Sequence, residues 1–200
     1  MSSEATDNSA EIFSHHEDEV QLGFWLFLMS DAVLFGLLFA TYAIMAGNVA
    51  GGPTGTEIFD LFNLSLQTAL LLISTLTIAI ASRYSMFGNT KGTMFWLLAS
   101  CVLGGGFIAL ELHELGGLVL AGNGPELSGF LSAFFTLVGM HGLHVSAGII
   151  WGITLVLQLS REGVSSRLLS RIMRLTYFWH FLDIVWIGVY STIYLPWIMT

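Results

Sequence analysis

His180 and Asp183 lie three residues apart in the last apolar run of the chain, within Trp179-His-Phe-Leu-Asp-Ile-Val-Trp186. That spacing puts both on one face of a helix, where they suit proton transfer, a metal or haem site, or a buried hydrogen bond between helices. His141 and His144 repeat the spacing one run earlier. Histidines at i and i+3 share a face that could ligate a metal or haem, and could equally bond neighbouring helices or lipid head groups. A bis-histidine haem would need His141 or His144 to face His180. Asp31 is the sole charge of the first run, and Glu111 and Glu114 close the third. A di-iron bundle wants Glu-x-x-His twice, and Glu111-Leu-His113-Glu114 does not supply it. His15-His16, in an acidic tail, read as a solvated patch rather than a metal site.

These groups are carried by membrane-spanning elements. The 200 residues are 54% hydrophobic and 10% charged, with mean hydropathy +0.77, whereas soluble domains carry about 25% charge. Five runs are long enough, at about 20 apolar residues each, to cross a bilayer: 23–46, 59–82, 93–112, 129–160 and 175–198. The fourth, free of Asp, Glu, Lys and Arg, exceeds one perpendicular span, so it tilts or begins at the interface. Turn-rich connectors separate the runs, and all three prolines (Pro53, Pro125, Pro196) avoid the run interiors. The expected fold is all-α: an integral membrane bundle of five transmembrane helices over 21–200, preceded by an acidic tail, 1–20, disordered or peripheral. Six of the fourteen acids lie in that tail. The rest is nearly balanced in charge, which argues against nucleic-acid binding. Cys101 is the single cysteine, so an internal disulfide is excluded and a thiolate metal cluster disfavoured.

Every Lys and Arg falls in two connectors: Arg83 and Lys91, then Arg161, Arg167, Arg171 and Arg174. The positive-inside rule makes that side the cytoplasm, with the N-terminus cytoplasmic and the C-terminus periplasmic. At 1.5 Å per residue, Asp31 and Asp183 lie roughly 12 Å from the inner end, and His180 and His144 roughly 8 Å. Asp31, His144, His180 and Asp183 thus share the inner half, His141 is nearer the middle, and Glu111 and Glu114 are outer-side acids. Intramembrane acids are functional candidates by default, and structural networks that fix helix register are the competing role. The three-residue spacing of the histidines favours packing over ligation. Glu111 shares a face with Gly104, whose Gly104-Gly105-Gly106 run permits close approach. It would face a protein contact or a polar vestibule. Gly148-x-x-x-Gly152 is a second packing signal.

Gly23-Phe-Trp-Leu-Phe-Leu-Met-Ser-Asp31, Ser128-Gly-Phe-Leu-Ser-Ala-Phe-Phe with Gly139-Met-His-Gly-Leu-His-Val145, and Trp179–Trp186 occur in that order. Together they resemble subunit III of the haem-copper terminal oxidases, over about 23–198. Five helices with Gly51-Gly-Pro-Thr-Gly55 after the first look like the cytochrome bo-type ubiquinol oxidase version; cytochrome c oxidase versions commonly have seven. The resemblance implies a non-redox subunit of a proton-translocating oxidase in the bacterial inner membrane. It has no cofactor or metal of its own, and the haems and copper reside in partner subunit I. Subunit I is the direct partner, with subunits II and IV in the same complex and phospholipid held in a V-shaped cleft. Asp31 corresponds to a carboxylate near lipid and the proton-entry side, for which cytochrome c oxidase versions have Glu. His141, His144, His180 and Asp183 are left as a polar helix-packing cluster. Alternative readings are a cytochrome c oxidase subunit III, an autonomous haem-binding quinone oxidoreductase subunit, or a small transporter coupled through Asp31. The last is disfavoured by the absence of repeats and paired broken helices.

Overall fold

The computed structural model describes the backbone over 2–58 and 60–198 and the side chains over 19–197, except 57 and 59. His15 and His16 lie outside the described side chains. Among the described residues the protein is entirely helical: α1 (Ser2–Met45), α2 (Gly55–Ile58), α3 (Leu61–Met86), α4 (Thr90–Leu120), α5 (Gly129–Glu162), α6 (Ser166–Val189), a π-helical turn (Tyr190–Tyr194) and α7 (Leu195–Ile198). Five helices are long and apolar enough to cross a membrane: Glu19–Met45, Leu61–Met86, Thr90–Leu120, Gly129–Glu162 and Ser166–Trp197.

The connectors specify where these helices begin. Asp60 accepts from the Phe62 N–H at 3.0 Å, Asn89 from Gly92 at 3.0 Å, Ser128 from Leu131 at 3.2 Å and Ser165 from Leu168 at 3.3 Å. Each side-chain oxygen satisfies a donor that the first helical turn leaves open. Gly163, at φ +70°, ends α5 in a conformation that glycine adopts without strain.

Three boundaries differ from the hydropathy reading. The backbone of the acidic tail is helical from Ser2, where Glu4 and Asp7 complement the positive end of the helix dipole. α4 runs on to Leu120 through the expected connector. α6 begins at Ser166, so Arg167, Arg171 and Arg174 ride on its first turns rather than in a loop. Charge hides a helix from an apolar count, yet Arg is a good helix former. The guanidinium of Arg171 donates to Gln158 of α5 at 3.0 Å.

The chain forms two compact units, Met1–Gly36 and Leu37–Thr200, and their boundary falls inside α1. In the first, Phe24, Leu28, Asp31 and Phe35 are buried and recur at spacings of four and three, the stripe of one helix face. In the second, α3 packs on α4, α4 on α5 and α5 on α6, and α6 returns to α3. This is a closed four-helix ring. Its outward side chains are large and apolar, among them Val102, Leu143 and Ile150, as lipid contact requires. The C-terminal widening has a local cause: Pro196 has no N–H for a regular helical bond. The Leu195 N–H bonds instead to the Tyr190 carbonyl, and the turn opens into π geometry.

Candidate functional site

Trp179 is the point at which all four helices of the ring meet. On α6, Trp179, Asp183 and Trp186 fall one turn apart on a single face, and all three are buried. The Trp179 indole N–H donates to Ser74 Oγ of α3 at 3.0 Å. Its ring is clasped from the other sides by glycines. A Cβ at Gly104 of α4 would lie 2.9 Å from the indole Cζ2, and one at Gly148 of α5 would lie 3.0 Å from Cζ3. The two small-residue signals of the sequence therefore converge on one tryptophan. Gly152 takes the next step along α5, where a Cβ would stand 2.6 Å from Cys101 Sγ.

Asp183 and Trp186 continue the α3–α6 seam. The Asp183 carboxyl lies beside His180 and shares the Thr75 hydroxyl, which also reaches the Leu71 carbonyl at 3.1 Å. The Trp186 indole N–H donates to Thr68 Oγ1 at 3.1 Å. Every contact of this seam joins an α6 polar group to an α3 hydroxyl. Such pairs relieve buried N–H and carboxyl groups that lipid could not solvate. A further hydroxyl pair, Thr77 with Ser100 at 2.8 Å, joins α3 to α4.

His141 is fully buried. Its ring stands edge-on to Phe107 at 5.7 Å and lies 5.2 Å from Trp186, while Phe107 itself meets Trp186 edge-on at 4.8 Å. His144, one turn further on, is half-buried, and its Nδ1 lies 2.8 Å from the Met140 carbonyl. A carbonyl only accepts, so Nδ1 carries the proton. His180 is half-buried and His113 exposed. Among the described residues, no group of three or more His, Cys, Asp or Glu is arranged to hold a metal ion.

The acids of α4 form a second polar region. Glu114 Oε2 accepts from Gln67 Nε2 of α3 at 2.7 Å, and Gln67 is buried. Glu111, 3% exposed, lays its carboxyl over the bare backbone of Gly142 on α5. A Cβ there would overlap Glu111 Oε1. A groove of about 220 Å³ runs beside this carboxyl between α4 and α5. Asp31 is buried in the first unit, at 8% exposure.

The sequence reading missed Thr68, Ser74, Thr75, Gln67 and the glycine beneath Glu111. The seven-residue interval from Thr68 to Thr75 matches that from Trp179 to Trp186, and this was the available signal. Hydroxyls are common in membrane helices and often bond their own preceding turn, so the interval did not stand out.

A four-helix ring bearing these motifs in this order defines a class: the chain belongs to the cytochrome c oxidase subunit III family, whose model matches residues 1–198. Among its relatives is the cytochrome bo(3) ubiquinol oxidase subunit 3 of Pseudomonas putida, 47% identical over 174 residues, or 87% of this chain and 84% of that protein. The quinol oxidase subunit 3 of Bacillus subtilis is 39% identical over 174 residues, 87% of this chain and 85% of that one. The corresponding subunit of Buchnera aphidicola is 41% identical over 87% of this chain and 90% of its own.

Proposed function

We propose that this chain is subunit III of a proton-pumping ubiquinol oxidase, embedded in a bacterial inner membrane with its N-terminus cytoplasmic and its C-terminus periplasmic. The observation that carries the proposal is the 47% identity to a bo(3) ubiquinol oxidase subunit 3 across most of both chains. The role is non-redox: the subunit stabilises subunit I, holds phospholipid in a cleft and sustains proton uptake near the inner surface through Asp31. Subunits II and IV complete the assembly, and the haems and copper belong to subunit I. The polar groups on α3–α6 support this reading, because their chemistry is consumed in helix-to-helix contacts.

The test is purification of the tagged chain in mild detergent. Subunits I, II and IV should co-purify, and the complex should consume oxygen with ubiquinol as donor. A complex that takes electrons from cytochrome c and not from ubiquinol would refute the quinol assignment. A stoichiometric Soret band on the isolated chain would refute the non-redox role. Asp31→Asn should leave assembly intact and at most lower sustained turnover; complete loss of assembled oxidase would contradict its placement in proton uptake.

A further inference from the structure

We infer that the groove between α4 and α5 is a binding site for a quinol, held by a hydroxyl that donates to the Glu111 carboxyl. This rests on the proposed function, which supplies the ligand class. Glu111 is the anchor: its side chain is almost wholly buried, yet its Oε2 has no hydrogen-bond partner. An unsatisfied carboxyl away from water is costly, and the groove is where a partner would enter. The fold keeps this carboxyl in place, because Gly142 alone leaves room for it.

The lining selects what fits. Ser146 spends its own donor on the Gly142 carbonyl at 2.8 Å, and the remaining walls are aliphatic, among them Ile108, Leu112 and Leu143. The groove therefore offers an acceptor and apolar walls, and asks for a donor on an apolar body. A volume of about 220 Å³ suits a substituted ring better than a full lipid. Leu112 and Leu143 are largely exposed at its rim, so entry is from the bilayer. Depth argues against a phospholipid head group. Glu111 lies six residues past the midpoint of α4, about 9 Å along the axis. That leaves it roughly 6 Å inside the boundary of a ~30 Å core, at the level of a quinol ring and below the head groups. A quinol donates through its hydroxyls and a quinone cannot, so the site distinguishes the two redox states.

The experiment uses the assembled complex in phosphatidylethanolamine nanodiscs, held anaerobically with a ubiquinol bearing a diazirine on its tail. Crosslinks are mapped by mass spectrometry. The reduced probe should label peptides covering α4 and α5 beside Glu111, and excess ubiquinol should displace it where excess ubiquinone does not. Glu111→Leu should reduce labelling roughly tenfold or more, the equivalent of one charge-assisted hydrogen bond. Gly139→Leu is the second variant. A Cβ there meets nothing within 4 Å, so its side chain fills the groove without straining the fold, and labelling should fall as far. Equal displacement by quinone, or by added phosphatidylethanolamine, would overturn the quinol assignment. So would labelling no greater than that of a diazirine hydrocarbon, or labelling unchanged by Gly139→Leu. If the complex oxidises ubiquinol yet shows no such labelling, this inference fails alone; if it does not oxidise ubiquinol, the functional proposal fails first.

Discussion

At the scale of single residues, Trp179 concentrates more of the packing than any ionisable group. Replacing it with Phe removes the donor to Ser74 and keeps most of the ring, at a cost of about 1 kcal/mol. Gly104→Val places a branched side chain where a Cβ alone already approaches the indole to 2.9 Å, and overpacking of that kind costs about 1–3 kcal/mol. Thermal inactivation of the assembled complex should therefore rank Gly104→Val as the more damaging change. The reverse order would remove Trp179 from its central place. The motif around this residue was legible because Trp, His and Asp within eight positions are rare in an apolar run. The clasp was half legible: the glycines were visible, but the ring they receive was not. Which faces of α4 and α5 turn towards α6 is decided by the packing of all three helices, and no local pattern records it.

Between elements, the α3–α6 seam makes a quantitative expectation. Hydrogen bonds between membrane helices average about 0.6 kcal/mol in double-mutant cycles. A cycle of Thr68→Val with Trp186→Phe should recover a coupling of that order. Pairing Thr68→Val with Trp179→Phe, one contact further along the seam, should give close to none. Equal couplings for the two cycles would mean that α3 and α6 are not held in this register. At the ends of the elements the sequence was informative where a capping side chain stood, as at Asp60 and Ser128. It misled where charge interrupted the hydropathy. The beginning of α6 is the clearest case, since Arg167 and Arg171 belong to a helix and not to a loop. The outer acids show the same division. Glu111 could be assigned to a helix and a depth from spacing alone, but its seat on Gly142 depends on the register of α4 against α5.

For the whole molecule, the proposed orientation has a direct check. In a Cys101→Ser background, Leu120→Cys, at the exposed end of α4, should react with an impermeant thiol reagent added to intact cells. Lys91→Cys, at the opposite end of the same helix, should react only after the membrane is opened. The opposite pattern would invert the topology.

The closed ring also bears on biosynthesis. α3, α4 and α5 leave the ribosome before α6, and until α6 arrives the gap between Gly104 and Gly148 is empty and the Ser74 and Thr75 hydroxyls face lipid or the insertion machinery. The last helix of the ring is the one that closes it. A nascent chain halted before Ser166 would hold three spans in the bilayer with an open seam, a natural target for membrane proteases. Completion of translation, rather than insertion of the earlier spans, is thus the event that commits this subunit to survive long enough to meet its partners.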